Sequence, residues 1–159
     1  VEPNVLTYLS KIFCLPVVPT PSSVDAIPDA LIPMVHEFVA SELQGSAGET
    51  ERRTNGWHLT INVDNEWCWR LRLRSLSDYA YMLFKNGEVK AIYRADSEQH
   101  HPELDFFPHH EHLRPDSKKD VVQTSYLYGM PIFDLKRLRD ISIEVRANGK
   151  LGSESASSE

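Results

Sequence analysis

At Gly56 the hydrophobic period of the chain changes from about 3.6 residues to 2, and this switch limits the fold more than any other feature. After it, Trp57, Leu59, Ile61 and Val63 alternate with His58, Thr60 and Asn62, the pattern of a half-buried strand, and Asp64-Asn65-Glu66 reads as a turn. In "WCWRLRLRSL" Trp67, Trp69, Leu71 and Leu73 alternate with Arg70, Arg72 and Arg74, so three guanidinium groups project from one face of the next strand. "DYAYMLFKNGEVKAIYRAD" reads as a hairpin, because Asn86-Gly87 suits a two-residue type I′ turn. That turn pairs Phe84 with Val89, Met82 with Ala91 and Ala80 with Tyr93 on one apolar face. Leu83 with Lys90, Tyr81 with Ile92 and Tyr79 with Arg94 then share the other face. "VVQTSYLY", from Val121, supplies a further strand.

Helical spacing flanks this β region. From Asp29 to Leu43, Leu31, Val35, Phe38 and Ile32, Val39, Leu43 fall on adjacent helical rows, with Asp29 as cap and Pro33 in the first turn. His36 lies inside that helix and is expected to be structural. From Pro131 to Arg146, Phe133, Leu135, Leu138, Ile141 and Val145 suit a closing helix. The first 23 residues are too rich in proline for more than a helical turn around Tyr8 to Phe13 and read as an arm. Residues 44–56, "QGSAGETERRTNG", read as a surface linker. The expected fold is therefore α+β, a twisted antiparallel β-meander of four to five strands with helices packed on one face. Its organisation is an N-terminal arm, helix and linker over 1–56, a core over 57–147 and a disordered tail over 148–159.

Composition narrows the function classes. Cys14 and Cys68 are the only thiols, too few for a disulfide framework or a cysteine zinc site. No apolar run approaches the ~20 residues of a membrane span, and no signal-peptide pattern opens the chain, so a cytoplasmic, membrane-free protein is expected. The formal charge of −6 argues against a general nucleic-acid binder, yet the acids concentrate outside the middle of the chain. Residues 57–150 carry 14 basic and 14 acidic groups, so a basic face is compatible with an acidic total.

The densest chemistry lies in "HHPELDFFPHHEHL", residues 100–113, which holds five of the seven histidines. Its prolines and length predict a loop with short extended pieces. One reading is metal ligation. His110 and His112, two apart, point the same way in an extended segment, and His100, His101 or His109, with Glu103 or Glu111, would complete a set. The spacing matches no established zinc signature. The other reading is general acid and base catalysis on RNA: one imidazole activates a 2′-hydroxyl, a second protonates the departing 5′-oxygen, and arginine stabilises the phosphorane-like charge. This reading uses more of the sequence. Arg70, Arg72, Arg74 and Arg94 would contact RNA phosphates, and Tyr79 and Tyr81 would stack on bases. Alternating arginines also suit the plain solvated side of a sheet, and strand tyrosines commonly just pack. His58, on a polar strand face, is a weaker site candidate.

"IYRADSEQHHPELDFFPHHEHLRPD", residues 92–116, resembles the signature of TumE-type toxins of bacterial and archaeal toxin–antitoxin pairs. The matching residues are Asp96, His100, His101, Pro102, Glu103, Phe107, Pro108, His109, His110 and His112; Ser97-Glu98-Gln99 stands where the family commonly has Asn-Ala-Pro. The resemblance covers about residues 67–145. It implies a toxin acting on RNA and neutralised by a cognate antitoxin, or a core recruited into another defence-related assembly with a protein partner. Joined to the reading of the residues, it leads to the expectation of a metal-independent ribonuclease with no cofactor. His101, His110 and His112 would transfer protons, Glu103 would orient them, and Arg72 and Arg94 would hold the phosphate. The runner-up readings are a non-catalytic RNA- or protein-binding subunit and a metal-dependent hydrolase.

Overall fold

The computed structural model describes residues 28–75, 77–115, 117–149 and 151. The expected arm, with its helical turn, lies outside them, as does nearly all of the tail. A 3-10 turn, Asp29–Leu31, leads into helix α1, Ile32–Glu42. Seven strands follow in sequence order: β1 Ser46–Arg53, β2 Gly56–Val63, β3 Trp67–Ser75, β4 Asp78–Lys85, β5 Ala91–Asp96, β6 His110–His112 and β7 Val122–Thr124. Helix α2, Pro131–Asn148, completes the described elements. Every neighbouring pair in the sheet is antiparallel, so the architecture is an α+β meander, with seven strands where four to five were expected.

The sheet has one covered and one open face, as strand alternation requires. On the covered face Leu59, Ile61, Trp69, Leu71, Leu73, Tyr81 and Leu83 are all at most 1 % exposed and join Ile32, Val39, Leu138 and Ile141 of the helices in one core. Polar contacts fix α2 across the strands. Trp69 Nε1 donates to Ser142 Oγ at 3.0 Å, and Tyr81 Oη donates to Asp134 Oδ2 at 2.9 Å. Helix α1 is pinned through buried His36, whose Nδ1 lies 2.7 Å from Thr50 Oγ1 and whose Nε2 lies 2.7 Å from Thr60 O. Gly56 starts β2 at φ 123°, where an added Cβ would sit 2.5 Å from Leu73 O. A side chain there would force β2 and β3 apart.

Four local expectations change. Residues 46–53 form an edge strand instead of a linker; its side chains are largely exposed, and it is held by backbone pairing to β2. Asp29 does not cap α1, whose N-cap is Leu31 without a side-chain bond; its carboxylate accepts from Trp57 Nε1 at 2.8 Å. Leu31 and Phe38, predicted on the helix's apolar rows, are 41 % and 46 % exposed. The β4–β5 connection runs over residues 86–90 instead of two, with an irregularity between Leu83 and Phe84. Leu83 therefore pairs with Tyr93, Met82 with Arg94 and Ala80 with Asp96. From Tyr93 onward the offset from the predicted register is three residues, an odd number, so these side chains share a face with the other set of β4 residues, whereas Ala91 pairs with Phe84 on the face predicted for it.

Candidate functional site

The corrected register brings the chemistry-bearing residues to the open face. One cross-strand row runs His58, Arg72, Ala80, Asp96, His110, Thr124; the next runs Thr60, Arg70, Met82, Arg94, His112, Val122. The arginine strand and the histidine strand thus share a surface. Tyr79 and Tyr81, expected on the mixed polar face, lie instead on the covered face beside Tyr93, and all three are 0 % exposed. Base stacking by Tyr79 and Tyr81 is incompatible with that position. Tyr81 bonds Asp134, and Tyr79 Oη lies 3.1 Å from His109 Nδ1. Burial pushes the phenols of Tyr79, Tyr81 and Tyr93 upward, so they remain protonated donors.

Strand β6 presents His110 and His112 side by side on the open face, and the loop from Ser97 to His109 returns His100 and His101 over them. Bonds inside the loop set its path. Tyr79 N donates to Ser97 Oγ at 3.1 Å, Glu98 N donates to Asp96 Oδ1 at 2.9 Å, and Leu104 N donates to His101 O at 3.1 Å. His101 takes φ 66°, and the Phe107–Pro108 peptide is cis. One nitrogen from each of His100, His101, His110 and His112 lies within 4.8 Å of the others. His109 points to the covered side and stacks on Tyr79, so it stands outside the cluster.

Each of three rings has Nδ1 against an acceptor. His101 Nδ1 lies 3.0 Å from Glu103 Oε1, His110 Nδ1 lies 2.8 Å from Pro108 O, and His112 Nδ1 lies 2.6 Å from Asp120 Oδ2. In that tautomer Nδ1 donates and Nε2 keeps its lone pair. On the floor of the cluster His110 Nε2 is 2.9 Å from His100 Nε2 and 3.3 Å from Asp96 Oδ1. His110 is 1 % exposed, and burial, its largest influence, pushes its imidazole pKa below the usual value against the opposing pull of Pro108 O and Asp96. Glu103 is held below the usual carboxylate range by its own backbone N–H and then by His101.

The arginines are already engaged. Arg72 Nη1 lies 2.6 Å and Arg74 Nη1 3.2 Å from the Asp78 carboxylate, Arg94 bonds Asp96 and pairs with Glu98 at 2.6 Å, and Arg70 stacks over Phe84 at 4.4 Å. His58 bonds Asn55 at 2.9 Å and stands four strands from His110, roughly 19 Å at the usual strand spacing. It is outside the cluster. On the covered face between the two β6 histidines, Glu111 accepts from Tyr93 Oη at 2.6 Å, Gln123 Nε2 at 2.5 Å, and Arg137 Nε and Nη2 at 3.1 and 2.7 Å. From sequence, His100 and Glu111 were candidate metal ligands, Asp96 was part of the family signature only, and Asp120 had no role. His100 was visible in the paired histidines; the others needed the register.

The family model described as Toxin TumE matches residues 34–139. The chain belongs to the TumE toxin family. The match begins within α1, ahead of the span carried by the sequence resemblance, and takes in all seven strands and half of α2. No curated protein and no solved structure matches the chain. Membership assigns a toxin-like function and suggests an antitoxin partner. Among the described residues no helix is long and apolar enough to cross a membrane.

Proposed function

We propose that this TumE-family chain is an RNA-directed toxin that breaks phosphodiester bonds at the histidine cluster by imidazole acid and base chemistry. The observation that carries the reading is the pair of carboxylate–imidazole dyads, His112 with Asp120 and His101 with Glu103, placed on the same sheet face as Arg72 and Arg94. A carboxylate on Nδ1 holds the tautomer in which Nε2 takes a proton and stabilises the imidazolium that follows. His112 removes the proton of the RNA 2′-hydroxyl. The 2′-oxygen attacks phosphorus, the P–O5′ bond breaks, and His101 as imidazolium protonates the leaving 5′-oxygen, giving a 2′,3′-cyclic phosphate and a 5′-hydroxyl. His110 and His100 share a proton beneath them, and Arg94 and Arg72 offset phosphate charge.

Purified, untagged protein incubated with total RNA and tRNA, with and without EDTA, tests this. Cleavage is expected to survive EDTA, to spare DNA, which lacks the 2′-hydroxyl, and to fall about 10²- to 10⁴-fold in His112→Ala. The convergence of four imidazoles favours metal-dependent hydrolysis as the second reading, and loss of cleavage in EDTA would select it. No cleavage under any condition would leave the non-catalytic binding subunit.

A further inference from the structure

We propose that His100, His101, His110 and His112 form a binding site for one divalent transition-metal ion of the zinc class. Ion binding stands independently of the RNA reading; only its consequence for cleavage rests on that reading.

Three independent features point to an ion. The first is convergence: four nitrogens able to ligate, from two chain segments, lie within 4.8 Å of one another, and His100 Nε2 is 2.9 Å from His110 Nε2. Tetrahedral zinc with Zn–N near 2.0–2.1 Å places its ligands about 3.3 Å apart. The 2.9 Å contact lies below that value and the 4.8 Å bound above it, so the spacing is of the order a single ion requires.

The second feature is the outer shell. In metal sites, a ligating imidazole almost always donates its other N–H to a carboxylate or a backbone carbonyl, which fixes the ring and leaves the lone pair for the ion. Glu103, Pro108 O and Asp120 stand at Nδ1 of His101, His110 and His112 at 3.0, 2.8 and 2.6 Å. Three of the four rings are thus oriented from outside the cluster, by the loop at Glu103 and Pro108 and by the segment at Asp120.

The third feature is the floor. With Nδ1 of His110 donating to Pro108 O, its Nε2 lone pair meets the Asp96 carboxylate oxygen at 3.3 Å and His100 Nε2 at 2.9 Å. Asp96 and His110 are 0 % and 1 % exposed, so the floor is dry. The contact between the two Nε2 atoms needs one cation between them, a proton or a metal ion, and Asp96, whose Oδ1 also accepts from Glu98 N, adds negative charge beneath it. The side chains of His100 and His101, 42 % and 30 % exposed, leave a route from the open sheet face to that point.

The donor set selects the ion. Four neutral imidazoles suit zinc, cobalt, nickel or copper, whereas magnesium and calcium require oxygen ligands. Four nitrogens also fill a tetrahedral shell, the arrangement of closed sites with no position for water. Loading therefore uses the same lone pairs that the proposed proton transfer needs.

The experiment is direct titration of untagged, chelator-stripped protein with ZnCl₂ by calorimetry, and with CoCl₂ by visible absorption, in the absence of RNA. One ion per chain is expected, with tetrahedral cobalt bands. His101→Ala, in the exposed loop, and Asp120→Asn, behind His112, should each weaken zinc binding about 10- to 100-fold. Circular dichroism verifies that both variants fold, which avoids reliance on the buried His110. Stoichiometry far below one, or affinity unchanged in both variants, overturns the site. Neither result depends on whether RNA is cut, so failure here is distinguishable from failure of the ribonuclease reading.

Discussion

Replacing Arg137 by Met should destabilise the protein by about 2 kcal/mol and loosen a histidine site on the far side of the sheet. Glu111 is buried on the covered face of β6 and receives two of its four hydrogen bonds from the Arg137 guanidinium, at 3.1 and 2.7 Å. Removing one member of a fully dry ion pair costs about 3–5 kcal/mol. Two corrections reduce that figure here: the Arg137 side chain is 34 % exposed, and Tyr93 and Gln123 still donate to the carboxylate. Methionine keeps most of the apolar stem, so packing loss is small. Urea unfolding followed by tryptophan fluorescence should show the midpoint falling by about 1 M at a slope of roughly 2 kcal/mol per M. Glu111→Gln alone should cost less, because the guanidinium left behind can turn to water. The double variant should then be more stable than the summed single effects by about 1–2 kcal/mol. Strand β6 has only three residues, with His110 and His112 flanking Glu111, so Arg137→Met should also weaken zinc binding. An Arg137→Met loss below about 0.5 kcal/mol, or strict additivity in the double variant, would refute the claim that this pair holds β6 in place.

Two further outcomes follow from named groups. Burial raises the Asp134 carboxyl from 3.8 to about 6 against the donors Tyr128 N, Tyr81 Oη and Gly129 N. Between those values the native state binds more protons than the unfolded chain, so this contribution is complete below about pH 4 and lost as pH rises through about 6. The stability difference between wild type and Asp134→Asn should therefore fall by about 2.5 kcal/mol from pH 4 to pH 7.5, and a flat difference in urea melts would contradict it. In the cleavage assay, one equivalent of zinc should slow the reaction, because it occupies the Nε2 lone pairs of the cluster; stimulation would replace proton transfer by metal-assisted hydrolysis.

Strands β2 to β5 were legible because each is long enough to show a period of two, and α2 was legible from its apolar spacing. Strand β1, "SAGETERR", carried no such signal, since an edge strand exposed on most of its length needs no apolar alternation. Strand β6, with three residues, is too short to display a period, and β7, Val122–Thr124, takes up only the start of the strand expected over "VVQTSYLY". The hairpin failed for a different reason. Asn86-Gly87 does lie in the connection, but three more residues join it and β4 has an irregularity between Leu83 and Phe84, so Tyr79 and Tyr81 turn to the covered face while Arg94 stays on the open one. The site inherited this pattern. The histidine run was evident as a run, and HxH in an extended segment placed two rings together. Which others joined them depended on a loop whose path is set by Ser97 and Asp96, and the Asp120 dyad crosses eight residues that no local pattern links.

The charge pairing on the open face bears on where any RNA affinity resides. Three arginines along β3 and a fourth on β5 would ordinarily suggest a track for a phosphate backbone, each neutralised phosphate adding a salt-sensitive increment. Here Asp78 already faces Arg72 and Arg74, and Asp96 with Glu98 faces Arg94. A phosphate must compete with carboxylates held by the same strand ladder, so the comb supplies far less attraction than its count implies, consistent with the net charge of −6. A subunit that only bound RNA through this surface would be poorly designed for it. The histidine cluster has the opposite character. Its rings are positioned from behind by Glu103, Pro108 and Asp120 and aimed at one another, an arrangement that contributes little to nonspecific attraction and makes sense where a particular atom must be held or a proton moved. Within a family of toxins, that difference makes the cluster, ahead of the arginine strand, the first place to test for chemistry with the variants above.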